Sequence, residues 1–484
     1  MFQEANLEQK EKSLEGFPAL NKSDIGKFIG VLRKAGDWDL IRMNPYRFAS
    51  TADFKPEVAL DLFLHGAKIG LFDIAYNMIC PACGGVAASH KSLDQIDEDY
   101  FHCYICNMDV PTTLDDQVEV TFTIHPSVRR IDVISLSLQD VESYYRYHFS
   151  ANYQKSPQLL RFIRSNLHGL LRLDPNESTV VNVNAEKLNA YQFTSVENNS
   201  AVFLYFDKEG SQKSNSIELN LLPGGFTPAE LHLPKGKYDI KVTNSTIGKA
   251  GGLHLTPSIN RIAAIVKDHP TKIEKFLTAK NLLNNQTFRD LFRVQQLRQN
   301  LNLNVKSLTI MFTDLRGSTE MYDKAGDMAA YRLVKEHFRL LMDVVKKHNG
   351  AIVKTMGDAI MAAFSSPLEG LLASLDMMAK IDQMNRGSHT QEFEIGLKVG
   401  LNEGPSLAVI NDERLDYFGQ SVNIAARVQG LAKAGEIWVT NSVLNTPGVD
   451  ELLLEKGYNW ETSEASLKGV GQKAVVHKLF PKVA

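Results

Sequence analysis

A chain of 484 residues is too long for one ordinary hydrophobic core, so several domains are expected. Its 44% hydrophobic and 23% charged residues are those of a folded globular protein, and a net charge of −3 gives no reason to expect a nucleic-acid or membrane-surface binder. The most apolar stretch, residues 60–75, carries His65 and Lys68 and falls short of the roughly 18–20 apolar residues a spanning helix needs. With no apolar signal core at the polar start, a cytoplasmic protein without a membrane span is expected.

Taken in chain order, residues 1–16 read as a frayed or disordered start. Ser23 is an N-cap candidate for a helix carrying Ile25, Phe28, Ile29 and Leu32, and a second helix is expected between Pro56 and Gly70. Val118, Val120, Phe122 and Ile124 alternate with polar residues, as in a half-buried strand. Residues 155–172 read as a helix. These elements make up a first region, 17–175.

Residues 176–257 change texture. Short β-rich runs are separated by turn residues such as Pro223-Gly224-Gly225 and Pro234-Lys235-Gly236, which predicts a small sandwich-like domain. Residues 258–304 form a helical linker in which Phe288, Leu291 and Phe292 make an apolar stripe. Such a stripe serves either to pack on neighbouring elements or to pair across a dimer. From Ser307 the order becomes strand, long helix, two strands, helix, strand, a ferredoxin-like α+β pattern over 305–484.

The chain has four cysteines, and their spacing is ordered. Cys80-Pro81-Ala82-Cys83 and Cys103-Tyr104-Ile105-Cys106 are two C-x2-C pairs nineteen residues apart. Each pair can bring two thiolates to one tetrahedral ion, which predicts a structural Zn2+ in a four-cysteine zinc ribbon with no open coordination position for catalysis. No cluster of Lys and Arg surrounds it, so a nucleic-acid partner is not expected.

Chemistry concentrates near the C-terminus. In Phe312-Thr313-Asp314-Leu315-Arg316-Gly317-Ser318-Thr319 a strand ends on an aspartate, and a glycine turn then enters a helix whose N–H groups suit a polyphosphate. Asp358 sits on the turn Lys354-Thr355-Met356-Gly357-Asp358. One aspartate on each of two adjacent strands can hold a pair of divalent ions, about 3.5–4 Å apart in phosphoryl-transfer sites. Taken singly, each residue has a plainer reading, Asp314 as a helix cap, Asp358 as a turn residue, Lys354 as a solvated strand-end charge and Arg427 as the partner of a surface carboxylate.

Together they resemble a known family. Residues 305–484 resemble the class III adenylyl/guanylyl cyclase catalytic domain through FTDLRGST at 312–319, KTMGDA at 354–359 and LDYFGQSVNIAARV at 415–428. The resemblance implies Mg2+ or Mn2+, two per active site, on Asp314 and Asp358, with Gly317, Ser318 and Thr319 along the substrate phosphates. It also implies Lys354 and Asp416 as the base-reading pair, Asn423 as the ribose-orienting residue and Arg427 as the transition-state arginine. Lysine and aspartate suit adenine, which offers an N6 donor and an N1 acceptor, whereas guanine reverses the polarity. ATP is then the expected substrate and cyclic AMP the product. In the family the metal aspartates and the remaining residues come from different subunits, so a chain carrying both sets implies a homodimer. The sequence departs from the pattern at Leu401-Asn402-Glu403-Gly404-Pro405, where many members carry a histidine-containing glycine-rich strand end. Three other readings are weighed: a guanylyl or mixed cyclase, a nucleotide-binding module without turnover, and a zinc-ribbon nucleic-acid adaptor. Residues 20–300 resemble, more weakly, regions preceding cyclase domains in bacterial proteins, which implies regulation by an unnamed ligand or protein.

Overall fold

The computed structural model describes residues 2–96, 100–103, 106, 108–131, 133, 140–195, 198–208, 215–257, 259–292, 303–316, 327–387, 395–411, 414–469 and 473–482. The chain divides into two compact units, one of residues 1–91, 98–112 and 116–277, the other of 92–97, 113–115 and 278–484.

In the first unit, helices Lys22–Lys34 and Pro56–Lys68 turn Phe28 and Phe63 inward, where both are fully buried. Their rings meet edge to face at 5.2 Å, and Phe72 and Phe122 from the strands Phe72–Ile79 and Val118–Ile124 close the cluster. The expected frayed start is instead a helix, Glu4–Glu15. Leu7 and Leu14 are fully buried, and burying a leucine stabilises by about 1.5–3 kcal/mol, enough to order a short terminal helix. The helix expected over 155–172 stops at Asn166, and Leu167–Leu173 is a strand paired with Ala250–Leu255. A five-stranded and a four-stranded sheet follow. In Lys237–Asn244, Tyr238, Ile240 and Val242 alternate into the core with exposed residues between them, as the sandwich pattern requires.

The second unit begins with two short helices, α1 (Ala279–Leu283) and α2 (Gln286–Leu291). Its sheet contains β1 (Leu303–Arg316), β2 (Ala351–Met356), β3 (Ala359–Phe364), β4 (Gly396–Asn411), β5 (Arg414–Phe418), β6 (Glu436–Thr440), β7 (Tyr458–Ala465) and β8 (Ala474–Pro481). The strand order is β2-β3-β1-β4-β6-β8-β7, with β5 a hairpin partner of β4. Helices α3 (Asp327–Lys347) and α4 (Pro367–Gly387) pack Leu341, Val344, Leu371 and Met377 against Met311, Ile360 and Leu401 of the sheet. Helix α5 (Gln420–Gln429) lies against β4 at Gly400, where a Cβ would come within 2.1 Å of the Gln429 backbone nitrogen. Only glycine allows that approach. The molecule is thus a multidomain α+β protein, and its C-terminal fold is the ferredoxin-like pattern expected from the sequence.

Candidate active site

The polar residues at the ends of β1 and β2 form two groups. Asp314 lies near the end of β1, and its Oδ2 accepts a hydrogen bond from Lys398 Nζ at 2.8 Å, across the Asp314–Lys398 register pair of β1 and β4. Asp358 follows Gly357, whose φ of +64° makes the tight turn from β2 into β3. Its Oδ2 is buried and has no hydrogen-bond partner among the described residues. The same holds for both ring nitrogens of His337 on α3, a fully buried side chain. Burial pushes this imidazole down to about 4, against the opposing pull of Asp358. Leaving a buried acceptor unsatisfied costs about 1–3 kcal/mol, more for a charged group, unless a cation meets it. Two carboxylates, one of them orphaned, fit an oxygen-preferring divalent ion such as Mg2+ or Mn2+. Gly317, Ser318 and Thr319 lie outside the described residues.

The second group centres on an ion pair. Lys354 Nζ on β2 donates to Asp416 Oδ2 on β5 at 2.7 Å, with the carboxylate nearly buried and the ammonium partly open to solvent. Asp416 Oδ1 accepts the Tyr417 backbone N–H at 2.8 Å, which fixes the carboxylate plane. On α5, Ser421, Ala425 and Val428 are buried, so the opposite face presents Asn423 and Arg427, both exposed and one turn apart. No hydrogen bond or ion pair among the described residues joins this group to Asp314 or Asp358. Lys398 and His337 are the residues the sequence reading missed. Lys398 is foreshadowed only by its position on a strand facing β1, and His337 only by a lone histidine in an apolar helix stripe.

The cysteines meet in the first unit. The four Sγ atoms lie within 4.8 Å of one another, with Cys83–Cys103 at 3.8 Å and Cys80–Cys106 at 4.0 Å. A tetrahedral ion with Zn–S bonds of about 2.3 Å requires sulfur separations of about 3.8 Å, so the donor set fits zinc. Cys80 follows the strand Phe72–Ile79, and the Gly85 N–H points at Cys83 Sγ at 3.3 Å in a knuckle turn. The Cys80 thiol is held well below its ordinary range, chiefly by a hydrogen bond from Cys103. Lys155 adds a nearby positive charge, its Nζ 2.6 Å from the Cys83 carbonyl.

Residues 17–290 match a family of unknown function, DUF5939, over more than half of the chain. The chain belongs to that family. Residues 302–477 of this DUF5939 member match the adenylate and guanylate cyclase catalytic domain, and with the three motifs they are a class III nucleotidyl cyclase domain. Serine/threonine-protein kinase pkn2 of Myxococcus xanthus is 30% identical over 138 residues, 28% of this chain and 16% of that protein. An adenylate cyclase of Anabaena cylindrica is 27% identical over 206 residues, 39% of this chain and 41% of that protein. The chain therefore spans less than half the length of either relative. The crystal structure of the adenylyl cyclase CyaB from P. aeruginosa is 20% identical, covers 38% of this chain and 97% of its own, and has a TM-score of 0.33.

Proposed function

We propose that the cyclase domain is an adenylate cyclase that converts ATP into 3′,5′-cyclic AMP and pyrophosphate as a homodimer. The observation that carries the reading is the Lys354–Asp416 pair, with donor and acceptor 2.7 Å apart and one edge open to solvent. An adenine edge placed against it receives a hydrogen bond at N1 from the ammonium and gives one from N6 to the carboxylate. Guanine would set donor against donor and acceptor against acceptor, and unpaired buried groups of this kind are rejected by several orders of magnitude in sites built to read them.

Asp314 and Asp358 would hold the divalent ions, which when bound lower the pKa of the ribose 3′-hydroxyl and neutralise charge on the phosphates. The remaining work belongs to the chain's own side chains. Asn423 orients the ribose so that O3′ lines up with the α-phosphorus, and Arg427 donates to the α-phosphate as its charge grows. The 3′-hydroxyl gives its proton to solvent, and the O3′–P bond forms as the bond to the departing pyrophosphate breaks. Homodimerisation is supported by the exposure of Asn423 and Arg427, which leaves both side chains open to a second copy of the chain. In a symmetric pair each site would draw its aspartates from one protomer and its base, ribose and phosphate contacts from the other. Cys80, Cys83, Cys103 and Cys106 are assigned a structural zinc. The DUF5939 portion is assigned regulation of the cyclase.

The full chain assayed with ATP and with GTP, in Mg2+ and in Mn2+, tests the reading. Cyclic AMP from ATP with at least a hundredfold preference over GTP is expected, a factor within what hydrogen-bond readout of a base can supply. Equal use of the two nucleotides, or no product from either, would overturn it.

A further inference from the structure

The segment that opens the second unit buries an unusual set of polar side chains. Asn284 is fully buried, and Gln286 and Thr287 nearly so. Asn284 Oδ1 accepts a hydrogen bond from the Tyr417 hydroxyl at 2.7 Å, and its Nδ2 lies 3.4 Å from Ser365 Oγ. Gln286 Oε1 accepts the Ile352 backbone N–H at 2.8 Å, and its own amide nitrogen is held by Asp290 at 2.8 Å. Arg289 spans the gap, with Nε on the Leu283 carbonyl at 2.7 Å and Nη1 on the Leu415 carbonyl at 3.1 Å. Its guanidinium lies over the Tyr417 ring, 5.6 Å from the centroid.

The ends of these contacts coincide with the base-reading pair. Leu415 and Tyr417 flank Asp416, and Ile352 lies two residues before Lys354, beside the irregularity in the β2–β3 register at Ile352 and Lys354. Strands β2 and β5 share no hydrogen-bonded ladder, since β2 pairs with β3 and β5 with β4. No ladder between β2 and β5 themselves therefore sets the spacing of Lys354 and Asp416. A segment that grips both strands beside the two residues can fix it. Thr287 Oγ1 and Arg289 Nη2 are buried without a partner among the described residues, so the remaining hydrogen bonds of Asn284, Gln286 and Arg289 are costly to lose. An anchor serving only to attach the segment would need no contact with both strands.

We propose that Asn284, Gln286 and Arg289 form a clasp that sets the separation of Lys354 and Asp416 and thereby the preference for adenine over guanine. They are positioning residues, acting on the nucleotide only through the pair. The clasp rests on the adenine reading of that pair. Hydrogen bonds weaken steeply as their geometry is lost, so a loosened clasp should show first in base selectivity.

The test uses the full chain with Arg289→Ala, Arg289→Lys and Tyr417→Phe, the last removing only the hydroxyl that reaches Asn284. Equilibrium binding of 3′-deoxy-ATP and 3′-deoxy-GTP, which lack the attacking hydroxyl, gives a selectivity ratio that does not depend on turnover. Arg289→Ala is expected to lower that ratio about tenfold, Tyr417→Phe about threefold, and Arg289→Lys to recover part of it by restoring charge and one donor. The affinity for Mn2+ should stay at the wild-type value. If Arg289→Ala does not fold, Tyr417→Phe decides the matter alone. Wild-type protein with no preference for the adenine nucleotide would overturn the adenine reading and the clasp with it. A wild-type preference that persists undiminished in the folded variants would overturn the clasp alone.

Discussion

In the proposed reading Lys354 and Asp416 form a polarity filter, and their individual removal should reveal which half of the base each one reads. Without Lys354 the N1 acceptor loses its donor and the Asp416 carboxylate, 12% exposed, loses its only ion-pair partner among the described residues. Lys354→Ala is expected to lower kcat/KM for ATP by about a hundredfold, in line with roughly 2–4 kcal/mol for stripping one partner from a buried charged pair, while GTP turnover changes little. Steady-state kinetics with both nucleotides checks this. Asp358→Ala should abolish turnover yet leave the oligomeric state unchanged in sedimentation, because the turn carrying Asp358 is held by Gly357 and the β2–β3 pairing and not by the carboxylate. At this scale the sequence was informative wherever a motif put a residue at the end of a strand or one helical turn from its neighbour. Lys398 and His337 escaped it, because a lysine opposite Asp314 is defined by β1–β4 register and a histidine behind Asp358 by helix packing.

Among the elements, α5 shows how one glycine positions the two side chains proposed to hold ribose and α-phosphate. A methyl group on Gly400 would meet backbone, not a movable side chain, so α5 must slide, taking Asn423 and Arg427 with it. Gly400→Ala is expected to cut kcat by about a hundredfold with a smaller effect on KM, the signature of displaced transition-state groups. Kinetics normal in both parameters would contradict the seating of α5. The first unit carries a separate pH signature. Burial, reinforced by the Arg42 and Arg172 charges, pushes the His148 imidazole down from its ordinary value to about 3. The unfolded chain therefore binds this proton below about pH 6.5 while the folded unit does not, so the stability it contributes is complete above that pH and declines as the pH falls towards 3. By pH 4 the loss from this group is roughly 3 kcal/mol, and His148→Gln should flatten the fall in melting temperature between pH 7 and 4.

Element boundaries were legible where periodicity was local and failed where a distant partner decided the outcome. The run Leu167, Leu170, Leu171 and Leu173 has helical spacing. It nevertheless forms a strand, because Ala250–Leu255 offers a ladder and Gly169 lets His254 pack where a Cβ would come within 2.5 Å of its ring. Leu7 and Leu14 sit among charged residues that read as disorder, and only the groove that buries them reveals the helix.

For the whole molecule, the C-terminal fold was readable from the alternation of strands and helices, and the cysteine cluster from spacing alone. The clasp was not, since Arg289 and Leu415 are 126 positions apart and nothing in either neighbourhood names the other. The zinc assignment makes its own prediction at this scale. The full chain should contain one zinc per protomer by metal analysis, and removal with a strong chelator should lower the melting temperature of the first unit, because metal affinity is coupled to folding. Retained stability after complete removal would contradict a structural role.

The central claim, an adenylate cyclase whose sites are shared between two copies of one chain, meets its most direct test when two inactive variants are mixed. Asp314→Ala removes a proposed metal ligand and Arg427→Ala the proposed α-phosphate contact, so each homodimer is expected to be silent. Random exchange of equal amounts makes half the dimers mixed, each with one intact site, and about a quarter of wild-type cyclic AMP formation should return. No recovery after demonstrated subunit exchange, or cyclic GMP as the main product, would contradict it.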